Sequence, residues 1–528
     1  MDEELQTEAT SGGISNPCSV HQRRAATRRP AAGTNGSATK DALMQHGFER
    51  LSTGIAGRDD VLCGGLIPGR AYLARGGPGT GKTILGLHFL AAGARRRERT
   101  LFITMDESEE RIRHNAAALG FDLAGVIFLD LSPTSEFFAK METYDIFSPA
   151  EVEREPITQQ IIQQVEQIQP RRVFLEAMTQ FRYLTADAFQ YHKQALSFLR
   201  FLVDQGATVL LSSEGSQTAP DDDLQFVSDG IIHLNGTPDA RTLTVVKFRG
   251  SDFQTGAHAM RLGGRGMTVF PRLLPDRYRR EYEPETVSSG VVELDELLHG
   301  GLERGTVTFI TGPNGVGKTT VGLHFMKEAA ARGERSVLYA FEEDLATLTR
   351  RSESIHIPVR QMVERGALAL VQVEPWSYMP DEFAALIREE VERRRARVVM
   401  IDSISGYRLC MRGGQNMEET LYTLAKYLAN MGVLALFIHE VESVTGEFRA
   451  TDLGVSYMAD NLVFLRYFEM RGELRKAIGV LKKRVSLFQP SLRELQITPE
   501  GLKVGRPLAG LRGILSHTPE FQGSLDAL

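Results

Sequence analysis

Two lysines stand at equivalent places in two glycine-rich octapeptides. The first is Gly76-Gly77-Pro78-Gly79-Thr80-Gly81-Lys82-Thr83 and the second is Gly312-Pro313-Asn314-Gly315-Val316-Gly317-Lys318-Thr319, with Thr320 following. Both satisfy G-x-x-x-x-G-K-[ST]. Glycines let backbone N–H groups turn inward around phosphate oxygens, the lysine reaches the β/γ-phosphates, and the threonine hydroxyl holds Mg²⁺. A helix after the loop directs its positive end at the same anion. The chemistry is triphosphate binding, and it is specified twice.

Hydrolysis needs more than a cradle: a carboxylate beside Mg²⁺ and a group that orients or deprotonates the attacking oxygen. Acidic pairs follow each lysine at the same distance, Asp106-Glu107 after Lys82 and Glu342-Glu343 after Lys318. Each pair ends an apolar run, which places it at a strand's C-terminal end, where open α/β sheets bind ligands. A later apolar run ends in Glu176 in the first copy and Asp402 in the second. These are the expected Mg²⁺ carboxylates, with Thr83 and Thr319 as hydroxyl ligands. Glutamate is one methylene longer, so the first site is expected to differ in metal geometry and turnover. A third recurring element is Lys247-Phe248-Arg249 and Lys482-Lys483-Arg484. A cationic pair on a late strand can reach a neighbour's γ-phosphate, as arginine fingers do.

The elements that must position these groups also recur. Ser52-Thr53-Gly54, Gly64-Gly65-Leu66 and Gly86-Leu87-His88-Phe89 reappear as Ser288-Ser289-Gly290, Gly300-Gly301-Leu302 and Gly322-Leu323-His324-Phe325, at one offset of 236 residues. Each repeat is domain-sized. Short apolar strands are expected at residues 71–74, 100–105, 172–175, 208–212 and 230–234, and at 307–311, 336–341, 398–401, 433–439 and 461–467. Helical stretches lie between them, such as residues 83–95, 157–168 and 191–204. This alternation predicts an α/β fold: two tandem P-loop domains, each a mostly parallel sheet with helices on both faces. Residues 1–46 read as a disordered tail carrying Arg23, Arg24, Arg28 and Arg29, residues 47–275 as the first domain, 276–505 as the second, and 506–528 as an irregular tail. The charged, proline-bounded stretch 274–284 reads as the linker. His88 and His324 are expected to pack on the inner helix face.

Hydrophobic content of 42% and charged content of 24% suit a soluble globular protein. A net charge of −6 argues against a protein that chiefly coats nucleic acid. No apolar run is long enough to span a bilayer, and no signal-peptide core is present. The scattered Cys18, Cys63 and Cys410 carry no metal or redox spacing and fit a reducing cytoplasm.

Together with the segment Tyr467-Phe468-Glu469-Met470-Arg471-Gly472-Glu473-Leu474-Arg475-Lys476-Ala477-Ile478, these motifs resemble the KaiC family of double-domain ATPases, which includes a circadian-clock kinase. The resemblance spans about residues 47–505. It implies that both domains are RecA-like P-loop NTPase domains, and that the protein is a two-tiered homohexamer with ATP and Mg²⁺ at subunit boundaries, slow hydrolysis in the first domain, and autophosphorylation and dephosphorylation in the second. It also implies a regulatory protein partner. The family's phosphorylated Ser-Thr pair corresponds to Ser456-Tyr457, upstream of Asp460, and Glu342 would draw the serine proton. The tyrosine departs from the pattern and puts an ordered two-site cycle in question. Two other readings stay open on the residues: a DNA-dependent RecA-like motor, and a scaffold that binds ATP only to assemble.

Overall fold

The strands expected from apolar runs form, and they order themselves into two sheets of the same design. The computed structural model describes residues 49–132, 159, 161–178, 188–215, 221–411, 416–441, 457–514 and 520–521. Both repeats fall within the unit Glu49–Leu528.

In the first repeat the strands are β1 (Ala71–Arg75), β2 (Thr100–Thr104), β3 (Val126–Asp130), β4 (Arg172–Glu176), β5 (Thr208–Ser213), β6 (Gly230–Gly236), β7 (Arg241–Phe248), β8 (Ala257–Gly263) and β9 (Gly266–Phe270). In the second they are β10 (Val307–Gly312), β11 (Ser336–Ala340), β12 (Leu368–Gln372), β13 (Val398–Asp402), β14 (Leu434–Glu440), β15 (Asn461–Met470), β16 (Glu473–Lys483), β17 (Arg493–Thr498) and β18 (Gly501–Pro507). The spatial orders are β3-β2-β4-β5-β1-β6-β7-β8-β9 and β12-β11-β13-β14-β10-β15-β16-β17-β18. The first six strands of each order pair in parallel and the last three add on antiparallel.

Parallel strands are buried on both faces. Alternate residues of β1 accordingly enter two different cores: Tyr72 and Ala74 one, Ala71 and Leu73 the other. In the second repeat Ile310 lies in one core, Val307 and Phe309 in the other. Helix α1 (Lys82–Arg95) and its counterpart α2 (Lys318–Ala331) start at the two glycine-rich loops. They lie so close to the sheet that a Cβ on Gly86 would meet the Phe174 ring at 2.3 Å, and one on Gly322 would meet Met400 Sδ at 2.3 Å. The recurring glycine is the condition for that approach.

The entry to each repeat is pinned identically. Asp59 accepts from Ser52 Oγ (2.6 Å) and from Thr53 N (3.0 Å), and Asp295 accepts from Ser288 Oγ (2.5 Å) and Ser289 N (2.8 Å). His88 and His324 are buried, as expected, and burial lowers both to about 4. His88 Nε2 accepts from Met267 N at 2.8 Å and so ties α1 to β9.

Residues 274–284 lie between the two matched repeats, as expected of a linker, but they do not hang free. Asn430 Nδ2 donates to Pro275 O (3.0 Å), Arg280 N donates to Asn430 O (3.0 Å), and Tyr278 packs edge-on against Tyr427. Nor is the chain irregular after Gly505. β18 runs to Pro507, Leu511–Arg512 pairs with Glu520–Phe521, and Ile514 is buried against Phe468 and Ala477. The tail's alternation is too short to be read without its partner strand. Arg23, Arg24, Arg28, Arg29 and Cys18 lie outside the described residues.

Candidate nucleotide sites

Each site is assembled where β1 or β10 ends. In that loop Gly79 and Gly81 take φ of 70° and 97°, and Gly315 and Gly317 take 73° and 115°. A Cβ on Gly77 or Gly79 would meet nothing within 4 Å, so space is open beside the loop there. Thr80 Oγ1 donates to Gly77 O at 2.8 Å and braces the first loop. Val316 does not line the second site with its side chain, which is buried in the core. Its backbone alone faces the loop, and Thr320 is buried beside it.

Both loop lysines are buried and folded onto their own loops. Lys82 Nζ donates to Gly76 O and Gly77 O, each at 2.9 Å, and Lys318 Nζ donates to Pro313 O at 2.8 Å. Burial lowers Lys318, and Glu440, Asp402 and Glu342 oppose that shift. Phosphate oxygens would replace these carbonyl partners.

The hydroxyl–carboxylate pairs expected for Mg²⁺ are in place. Thr319 Oγ1 donates to Asp402 Oδ2 at 2.7 Å, and Thr83 Oγ1 donates to Glu176. Burial raises Glu176 to about 7, with Glu107 and Asp106 adding to it, and raises Asp402 to about 6. Among the described residues no cluster of three His, Cys, Asp or Glu side chains could hold a metal alone. One hydroxyl and one buried carboxylate fit Mg²⁺, which completes its octahedron with water and phosphate oxygens.

The acidic pairs follow the next strand over, β2 and β11. Glu342 Oε1 accepts from Ser403 Oγ at 2.6 Å, and Glu343 Oε2 lies 2.7 Å from Arg351 Nη2. In the first repeat Thr104 Oγ1 donates to Glu107 O at 2.6 Å, and Glu107 lies 3.5 Å from Arg111. Asp106 is exposed. In the second repeat a cavity of about 340 Å³ gathers Asn314, Lys318, Thr319, Glu342, Glu343 and Asp402. That volume suits a small ligand.

The cationic pairs are elsewhere. Arg249 N donates to Asp229 O and Asp229 N to Ala71 O, so Arg249 sits beside the start of β1. Lys247 Nζ donates to Gln225 O at 2.8 Å, and Arg249 Nη1 lies 3.7 Å from Asp229. In the second repeat Lys482 pairs with Leu462 across the ladder, and Arg484 Nη2 donates to Tyr457 O at 2.9 Å. Five strand residues separate this end of the sheet from the loop, about 17 Å at strand rise. The pairs therefore do not reach the phosphate site of their own repeat. Tyr457 is 52% exposed on this face, and Ser456 lies outside the described residues.

Sequence reasoning missed two sets of residues. Glu214 directly follows β5 and Glu440 ends β14, the strands between the loop strand and the metal-carboxylate strand. Glu214 Oε1 lies 3.6 Å from Lys82 Nζ, and Glu440 stands opposite Gly312 in the ladder and lines the cavity. The offset of 226 residues that relates Glu176 to Asp402 also relates Glu214 to Glu440. Lys476 Nζ donates to Gly315 O at 3.2 Å from the long β15–β16 hairpin, and only the fold reveals that overhang.

Sheet order, loops, lysines and metal pairs define a class: a tandem RecA-like P-loop ATPase. A family model described as "ATPase: KaiC" matches twice, over residues 51–273 and 287–509. The chain belongs to the KaiC ATPase family. It is 28% identical over 488 residues to the circadian clock oscillator protein KaiC of Parasynechococcus marenigrum, covering 89% of this chain and 93% of that protein. It is 27% identical over 491 residues to the circadian clock protein KaiC3 of Synechocystis sp., covering 90% and 95%. Against KaiC of Synechococcus elongatus it is 28% identical over 488 residues, covering 89% and 92%. Among the described residues no helix is long and apolar enough to cross a membrane.

Proposed function

We propose that this protein is a slow ATP-driven switch, a homohexamer that hydrolyses ATP in both repeats and phosphorylates itself on serine in the second. The observation that carries this reading is the placement of Lys247–Arg249 and Lys482–Arg484 at the opposite end of the sheet from the loops they would serve. A cationic pair stranded there is useful if a second copy brings its own nucleotide to it.

Within each site the roles divide by position. Backbone N–H groups of Gly77, of residues 79–83 and of residues 315–320 bind phosphate oxygens, and Lys82 and Lys318 neutralise them. Thr83 with Glu176, and Thr319 with Asp402, would hold Mg²⁺, which when bound would draw charge from the phosphates and orient them. Asp106-Glu107 and Glu342-Glu343 orient the attacking oxygen. In the second repeat the transfer crosses a subunit boundary: Glu342 beside one copy's ATP accepts the proton of the neighbouring copy's Ser456 as that oxygen attacks the γ-phosphorus and ADP leaves, with Tyr457 next to Ser456 in the chain. Lys247, Arg249, Lys482 and Arg484 stabilise charge on the neighbour's terminal phosphate. Nucleotide state alters packing between subunits, and a regulatory protein in the cytoplasm reads the change.

Phosphopeptide mapping after incubation with Mg-ATP tests the kinase half, comparing the native protein with Lys318→Ala. Phosphate on Ser456 in the native protein, absent from the variant, is the expected result. ATP consumption with no phosphopeptide anywhere would leave an ATPase without kinase activity.

A further inference from the structure

The two repeats treat the second acid of their pairs differently. In the second repeat Arg351 lies on the helix Leu345–Glu353, whose first turn Asp344 caps by accepting from Thr347 N at 3.0 Å. That helix carries the guanidinium into the cavity wall beside Lys318, Thr319 and Asp402, where it holds Glu343 at 2.7 Å. The same helix position in the first repeat is Asn115. Glu107 there is met instead by Arg111 from an earlier turn, at 3.5 Å, with that side chain 70% exposed. Lys476 Nζ donates to Gly315 O of the phosphate loop at 3.2 Å. Besides the loop lysine, Arg351 is the cation lining the cavity, and it rests on a glutamate.

We propose that Arg351 is a specificity-determining residue that senses the terminal phosphate at the second site. Without a triphosphate its guanidinium rests on Glu343. The γ-phosphate, with more charge and the same planar pair of acceptors, takes the guanidinium from the carboxylate. Glu343 is then free beside Glu342 to orient the attacking oxygen. A diphosphate does not extend to the guanidinium, so Glu343 stays held. The first site, with Asn115, lacks this discrimination.

This inference rests on the cavity being a nucleotide site, and the test separates the two. In full-length protein carrying Lys82→Ala, so that binding reports the second site, affinities for ADP and for a non-hydrolysable ATP analogue are measured for Arg351, Arg351→Asn and Arg351→Lys. Arg351→Asn should weaken the ATP analogue about tenfold, the worth of one charge-assisted hydrogen bond, and leave ADP within about twofold. Arg351→Lys should fall between. Equal weakening of both nucleotides, or of neither, overturns the sensor. If Arg351→Asn loses ADP binding through misfolding, the ratio in Arg351→Lys decides. Absence of nucleotide binding with Arg351 intact would defeat both the sensor and the reading of the cavity. The reciprocal Asn115→Arg, with Lys318→Ala, should raise the ATP-to-ADP preference of the first site.

Discussion

At the residue scale, the phosphate sites carry an excess of carboxylate that must give way to an anion. Glu214 is the clearest case, because its Oε1 faces Lys82 at 3.6 Å from the phosphate side of the loop. It is 52% exposed, so the pair itself is worth little. Glu214→Gln removes a charge that repels incoming phosphate. It should tighten ATP at the first site by roughly threefold, within the range of exposed pairs, and the effect should shrink in high salt. Titration calorimetry in a Lys318→Ala background reads it, and unchanged or weaker binding would contradict it. The residues legible in the sequence are those whose spacing repeats or whose strand ends in an acid: the loops, the acidic pairs, Glu176 and Asp402. Glu214 and Glu440 satisfied the same strand-end rule. They share the 226-residue offset of Glu176 and Asp402, so that signal was present in the sequence, but their strands were read only for their apolar runs. Arg351 and Lys476 approach from a helix and a hairpin, and no spacing encodes that.

At the element scale, the loop helix must lie flat on the sheet for its N-terminus to point at phosphate. Gly86 and Gly322 allow this, with Phe174 and Met400 filling the space a side chain would take. Gly86→Ala overpacks against an aromatic ring fixed between strands. It should destabilise the first repeat by roughly 1–3 kcal/mol and weaken its ATP binding. Gly322→Ala should cost less, because the flexible methionine can move aside. Denaturant melts of the two variants give the comparison, and equal or negligible effects would contradict the packing argument. Element identity was legible wherever strands are buried on both faces, since β1, β2 and β5 read as unbroken apolar runs. The edge strands β3 and β12 were not, because in β12 only Leu368 is buried and the rest is half-buried. The antiparallel extension after β7 and β16 was equally obscure: its pattern depends on neighbours far along the chain.

At the scale of the whole molecule, the repeats are joined through more than their linker. Arg261 lies 2.7 Å from Glu382 and Arg272 lies 2.8 Å from Glu419, both bridging first repeat to second. Asp381, which accepts from Ala259 N at 3.3 Å, is raised to about 6 by burial in the same seam. These contacts tie the two repeats together side by side. Catalysis itself, on this account, is shared between copies. The most direct test mixes two inactive variants in a background whose second site binds ATP without hydrolysing it (Glu342→Gln, Glu343→Gln). Lys82→Ala removes the loop cation, and Arg249→Ala removes the cation offered to the neighbour. Each alone should be nearly inactive. Co-assembled one to one, they should regain about a quarter of the first-site rate, because one boundary in four pairs an intact loop with an intact Arg249. Full activity of Arg249→Ala alone, or no recovery in the co-assembled protein, would contradict a site completed by the neighbouring subunit.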